Sequence, residues 1–315
     1  MEENKITFIN QKLRGQEPEV PRCLYKYRPF DSYTFDMLDN RYLYLCPAKN
    51  LDDPSECTVS FDLKDFFDIE TECLNFQCVS LILEIIRPFT TEESHKRVKE
   101  IVAKVVTPDG YVKRNWLLEA SFEMQKFVPS EISTALVNWL GNIPERLDDP
   151  GVRAQMEKLF VAAYQAREAM GICSLSQLKN CDDMWENYAD NSQGYCVEYD
   201  MRNYAHNEAL FPVFYQNERE NNILMAMLGD FIAQMILGIS NGELNADRSR
   251  YVRMFLTKAE KWAYQKEWRI LGDANTRIAA PPVKAIFLGK NINENNRVKM
   301  MQYCAERGIC CVQLQ

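Results

Sequence analysis

From Tyr195 to Asp200 apolar and polar positions follow a period of two, with Tyr195, Val197 and Tyr199 on one side and Cys196 and Glu198 on the other. That alternation predicts a half-buried strand. Immediately before it, Trp185, Tyr188 and Ala189 recur at i, i+3 and i+4, the spacing of a short helix. Asp182 or Asp183 is placed to accept a hydrogen bond at its N-cap, and Asn191, Ser192 and Gly194 are placed to end it. The same period of two recurs at both ends of the chain. In CLYKYR, Tyr25 and Tyr27 share one face and Leu24, Lys26 and Arg28 the other, and in EWRIL, Glu267, Arg269 and Leu271 lie opposite Trp268 and Ile270.

Further strands are predicted at Tyr42–Cys46, at ICSLS after Gly171, at ALFPVFY with Pro212 marking an edge or a bulge, at VKAIFLG and at ICCVQLQ. Helices are predicted at Thr34–Leu38 and after Thr90, which has capping-box spacing to Glu93 and an apolar stripe of Val98, Ile101, Val102 and Val105. Another starts at Asp149 and Pro150, buries Met156, Leu159, Phe160 and Ala163, and stops at Gly171. Leu224 to Met235, a helix carrying Tyr251, Met254 and Phe255 through KAEKW, and Asn293–Arg307 complete the set. Pro108, Asp109 and Gly110 mark a turn. Strands and helices alternate irregularly, hairpin turns are few, and neither G-x-G-x-x-G nor G-x-x-x-x-G-K-[ST] occurs. The expected class is α+β, with mixed, mostly antiparallel sheets, surrounding helices and a helical insertion. Residues 1–22 read as an arm, and 23–315 as one domain with the insertion at about 62–170.

Composition narrows the function classes. A formal charge of −8 and a pI near 5.1 argue against a broad nucleic-acid surface. No stretch approaches the roughly 18 to 20 apolar residues of a membrane span, and the N-terminus has no signal-peptide core. A cytoplasmic protein is expected. Its eleven cysteines are an odd number with no C-x-x-C pair, and there are two histidines. That pattern predicts reduced thiols and no zinc site.

The candidate chemistry lies at four separated places: Lys26, Tyr27 and Arg28; the loop PAKNLDDPSE with Asn50, Asp53 and Glu56; Trp185 and Tyr188 followed by Glu198; and Glu267 with Arg269. An α+β sheet is able to bring such cations, carboxylates and aromatic rings to one cleft. The plain alternatives are an ion pair between Glu267 and Arg269, a loop stapled to the first strand by Lys26 and Arg28, core aromatics, and a solvated Glu198.

Together LYKYR, NLDDPSE, SLS with MWENYADNSQGYCVEYD, and KAEKWAYQKEWRI resemble a bacterial family named domain of unknown function 2971, over roughly residues 23–290. Its motifs fall here on Lys26, Tyr27 and Arg28; on Asn50, Asp53, Pro54 and Glu56; on Met184, Trp185, Tyr188 and Gly194; and on Glu267 with Arg269. The loop departs from the family by an additional Leu51 and Asp52. More distantly the set is similar to ADP-ribosyltransferases. That likeness implies an NAD-using transferase or glycohydrolase, an effector in toxicity or antiviral defence. Glu267 and Tyr188 would be catalytic, and Lys26, Tyr27, Arg28, Trp185 and Arg269 would hold NAD. A carboxylate there stabilises an oxocarbenium-like state, and the rings hold nicotinamide. The first motif lacks the His of that family.

Two other functions compete. A non-catalytic sensor or scaffold would bind a phosphorylated small molecule through Lys26, Arg28 and Arg269. A metal-dependent phosphodiesterase would gather Mg²⁺ on Asp53, Glu198 and Glu267. The strand-bearing part lacks a D…E-x-K pattern, so no metal is expected.

Overall fold

The computed structural model describes residues 20–53, 56–57, 67–68, 73–75, 83, 85–104, 111–113, 120, 122–141, 150–216, 227 and 249–314. In chain order its strands are β1 (Cys23–Arg28), β2 (Tyr42–Tyr44), β3 (Cys46–Pro47), β4 (Phe67–Asp68), β5 (Cys73–Asn75), β6 (Tyr111–Lys113), β7 (Met170–Ser176) and β8 (Tyr195–Asp200). They continue as β9 (Leu210–Pro212), β10 (Phe214–Gln216), β11 (Thr257–Ala259), β12 (Glu267–Asp273), β13 (Arg277–Ala279), β14 (Val283–Leu288) and β15 (Cys310–Gln313). The chain divides into two compact units. One comprises Met1–Glu56, Glu168–Asn221 and Val252–Gln315, and the other Cys57–Arg167 and Asn222–Tyr251.

The first unit is built on an eight-stranded sheet in the order β15, β14, β8, β1, β7, β12, β9, with β3 also paired to β7. All pairings are antiparallel except β14 with β15. Alternation along β8 sorts its side chains as expected: Tyr195, Val197 and Tyr199 join a cluster with Leu24, Trp268 and Met300, while Cys196 joins Tyr27, Met184 and Trp185. Both clusters are closed by helices, the first by Glu294–Arg307 and the second by Asp182–Tyr188. β8 is therefore buried on both faces from Tyr195 to Tyr199, not half-buried, because it lies inside the sheet between β14 and β1.

Several boundaries move for local reasons. Cys181 is the N-cap of the 182–188 helix and makes no side-chain cap bond, so Asp182 and Asp183 occupy its first turn, where their charge suits the positive helix end. Tyr42–Cys46 divides into β2 and β3. ALFPVFY divides at Val213, after the N–H-less Pro212, into β9 at the sheet edge and β10 in a parallel pair with β11. The helix carrying Met254 stops there; Thr257–Ala259 is the strand β11, and Glu260–Gln265 forms a 3-10 turn.

The second unit contains the helices Glu92–Ala103 and Ser130–Gly141 and most of Pro150–Ala169. It also holds an antiparallel sheet of β4, β5 and β6, which the apolar pattern did not reveal. Thr91, one residue later than expected, caps the first helix by accepting from Ser94 N, and Val98, Ile101 and Val102 are buried as its stripe predicts. The Pro150 helix ends at Ala169 with Gly171 already inside β7, and Phe160 is 41% exposed while Ala163 is buried. Val105, the 108–110 turn and most of the predicted 224–235 helix lie outside the described residues. No helix among the described residues is long and apolar enough to cross a membrane. Cys23, Cys46, Cys57, Cys173, Cys181, Cys196, Cys304, Cys310 and Cys311 are free thiols.

Candidate functional site

A change of strand partner opens the site. β1 pairs with β8 along its whole length, from Cys23 opposite Asp200 to Arg28 opposite Tyr195. Against β7 it pairs only at Tyr25 and Ser176. Further along the same strand, Ile172 and Gly171 are taken by Cys46 and Pro47 of β3. Between the two partners the β7 edge is left to side chains: Lys26 Nζ donates to the Ser174 carbonyl at 2.7 Å. A backbone acceptor that would otherwise be orphaned is satisfied in this way. A pocket of about 240 Å³ occupies the gap, lined by β1, β3, β7, the 50–56 loop, the 182–188 helix and the start of β12.

Its floor is a buried network of four charges. Arg269 is fully buried; its Nε donates to Glu267 Oε1 at 2.8 Å, its Nη2 to Glu56 Oε2 at 2.5 Å and its Nη1 to the Phe255 carbonyl at 2.7 Å. Lys258 Nζ lies 3.0 Å from Glu267 Oε2 and 3.4 Å from Glu56 Oε1. Two carboxylates thus meet two cations, as burial of charge requires. For Glu267, burial alone would raise the pKa. The adjacent Arg269 and Lys258 outweigh it and hold the carboxyl at about 2. Beside the network, Lys258 Nζ donates to Gln265 Oε1 at 2.8 Å, and Gln265 Nε2 donates to the Tyr188 hydroxyl at 3.0 Å. The Tyr215 hydroxyl receives the Glu267 N–H at 2.9 Å. Lys266, with φ of +44°, turns the chain from the 3-10 segment into β12, so that Gln265 and Glu267 both line the pocket.

Of the residues singled out in the sequence, Lys26, Tyr27, Arg28, Asn50, Glu56, Tyr188, Glu267 and Arg269 line this pocket. The other three are placed elsewhere. Trp185 is buried behind it, edge-on to Tyr27 with centroids 5.1 Å apart and Nε1 donating to the Lys179 carbonyl. Asp53 accepts from Trp262 Nε1 at 3.0 Å and so ties the loop to the 3-10 segment, while Asp52 lines the pocket. Glu198 lies on the neighbouring strand, bound by Lys284 at 2.5 Å. Burial opposes its charge, and Lys284 more than offsets that, leaving its pKa lowered. Asp53, Glu198 and Glu267 each have a separate partner, and among the described residues no group of three or more His, Cys, Asp or Glu is arranged to hold a metal.

Lys258 and Gln265 were not legible as site residues. Lys258 sits in a stretch whose spacing continued a helix, and its one signal is that it alternates with Thr257 and Ala259 beside a strongly apolar Phe255–Leu256 pair. Arg28 differs from the other three pocket cations in that its Nε is buried without a hydrogen-bond partner. In all, Lys26, Arg28, Lys258 and Arg269 face three carboxylates, Asp52, Glu56 and Glu267. The lining carries a surplus positive charge in a chain of formal charge −8.

No curated protein and no solved structure matches the chain. Residues 184–270 match the profile of the family described as Protein of unknown function (DUF2971). The matched span starts in the helix that carries Tyr188, includes Lys258 and Gln265, and ends in β12 just after Arg269. This segment, which supplies Tyr188 and three of the four charges in the floor, is thus similar to the DUF2971 family.

Proposed function

We propose that the pocket binds a small ligand that carries an anionic group, phosphate foremost, and sets a planar or apolar part against Tyr25, Tyr27 and Tyr188. The observation that carries this reading is the division of its charges. Glu56, Glu267, Lys258 and Arg269 neutralise one another in the floor, whereas Lys26 spends one donor on a carbonyl and Arg28 keeps an unpartnered Nε. Both line the pocket without an ion pair to a described carboxylate, and the Arg fork suits phosphate geometry. A volume of about 240 Å³ falls below the roughly 300 Å³ at which drug-sized sites begin. A compact metabolite fits, or one end of a larger one.

The NAD-using transferase or glycohydrolase is the catalytic form of this reading, and it receives less support from the geometry. Both Glu267 oxygens already accept from cations, so the carboxylate is engaged before any ribose arrives. Ribose 5-phosphate and ribose separate binding from its absence. Calorimetry is expected to show ribose 5-phosphate bound and ribose not, with Lys26→Met weakening binding by about tenfold, as for loss of one charged hydrogen bond. Equal affinity for the two sugars contradicts the anion site. Release of nicotinamide from NAD in a parallel incubation would restore the catalytic form.

A further inference from the structure

Gln265 is 2% exposed and sits between a lysine and a tyrosine, which fixes the direction of a hydrogen-bond chain. The Lys258 ammonium has donors only, so the atom of Gln265 that faces it at 2.8 Å is the amide oxygen. Turning the amide over would set its NH2 against the ammonium, donor facing donor, and no hydrogen bond would form between them. The Gln265 nitrogen is therefore the atom directed at Tyr188, 3.0 Å away, and the Tyr188 oxygen accepts from it. The backbone that carries the side chain is held from behind, because the main-chain carbonyl of Gln265 receives the buried Ser176 hydroxyl at 2.7 Å. At the far end Lys258 is anchored by Glu267 and Glu56.

The chain runs one way, from Lys258 through Gln265 to Tyr188, and ends on a hydroxyl that lines the pocket. With the Gln265 N–H already supplied to its oxygen, Tyr188 retains its hydrogen, and no described residue accepts it. Burial, with the charge of nearby Asp52, pushes this hydroxyl above the ordinary tyrosine range, so it stays protonated and remains a donor at neutral pH. A ligand group that is itself only a donor meets a hydrogen there; a group with an unprotonated oxygen meets a partner.

Resting on the reading that the pocket takes an anionic ligand, we propose that Tyr188, oriented by Gln265, is its specificity-determining donor, and that the ligand bears a second, accepting oxygen, a carboxylate or carbonyl, besides its anionic group. This role differs from that of a stacking ring, which Phe would fill equally well. It also makes Gln265 a positioning residue, since it acts through Tyr188.

The test uses the full chain and three series of phosphonates with one to three carbons between the phosphonate and the far end: ω-carboxyalkyl, ω-aminoalkyl and plain alkyl. Calorimetry is expected to show the best carboxyalkylphosphonate bound about tenfold tighter than the alkyl compound of equal length, the gain from one hydrogen bond to a charged group. Tyr188→Phe is expected to erase that gain, bringing the carboxyalkyl compound down to the alkyl one, and to lower the melting temperature, because the buried Gln265 N–H loses its acceptor. Gln265→Glu keeps an acceptor towards Lys258 but presents one to Tyr188 as well, which reverses the hydroxyl; the aminoalkyl series is then expected to overtake the carboxyalkyl series. If the alkylphosphonates bind but the carboxylate brings no gain, or the gain survives Tyr188→Phe, this inference is overturned and the anion site stands. If no phosphonate binds, or binding ignores Lys26→Met, both are overturned.

Discussion

Glu267 and Arg269 illustrate what a strand pattern discloses at the level of single residues. Alternation through EWRIL placed both on one face, and they are ion-paired there. It disclosed neither Glu56 nor Lys258 as the other half of the network, since pairing between residues 56 and 269 depends on where distant strands meet and no local period encodes that. The network makes a firm demand on stability. Arg269→Met would leave Glu56 and Glu267 buried with Lys258 as their one remaining cation in the network, and breaking a buried pair from one side costs roughly 3–5 kcal/mol; urea unfolding is expected to show a loss of that size. The pH dependence follows from Glu267, whose carboxyl is held at about 2 against an ordinary 4.5. Its contribution is complete above about pH 4.5 and is lost as the pH falls towards 2. Glu267→Gln, which cannot titrate, is expected to flatten the acid limb of the stability profile, and an unchanged limb would assign acid sensitivity to other carboxylates.

Among the elements, those governed by local alternation were legible and those governed by partner exchange were not. β1, β8 and β12 lie where the period of two put them, and β7 and β14 where the strand-like runs ICSLS and VKAIFLG were expected to pair. The handover of the β7 edge from β1 to β3, which creates the pocket, has no sequence signal, because the tyrosine-rich β1 looks able to pair along its full length. Likewise β11 is set by parallel pairing with β10 some forty residues earlier, and its tertiary partner overrode a helical spacing. The reversal after the 182–188 helix was better marked. Asp190, Asn191 and Ser192 all take positive φ, at 50°, 52° and 64°, a left-handed run that Asp and Asn tolerate better than most residues. It delivers Gly194 so close to β1 that an added Cβ would lie 2.0 Å from the Arg28 carbonyl oxygen. Gly194→Ala is therefore expected to displace the backbone that carries Arg28, lowering stability by about 1–3 kcal/mol and weakening anion binding with it. Wild-type melting and affinity in that variant would show that β1 is free to yield.

Over the molecule as a whole, the pocket is assembled from two sources. Tyr188, Lys258, Gln265, Glu267 and Arg269 fall within the family segment 184–270, whereas Lys26, Arg28 and Glu56 come from the N-terminal part of the same compact unit. Four motifs with no shared neighbourhood in the chain converge on one cavity, and the α+β sheet expected from their order is the device that gathers them. On the proposed reading, the surplus positive charge that this acidic chain concentrates at such a point would draw anions to it. The most direct measurement is a crystal structure of the protein soaked in tungstate, a heavy phosphate analogue whose anomalous signal locates it without assumption. The account predicts a single strong peak within hydrogen-bonding distance of Lys26 Nζ and the Arg28 guanidinium, lost in Lys26→Met crystals. A pocket without a peak, while tungstate orders elsewhere on the surface, would contradict it.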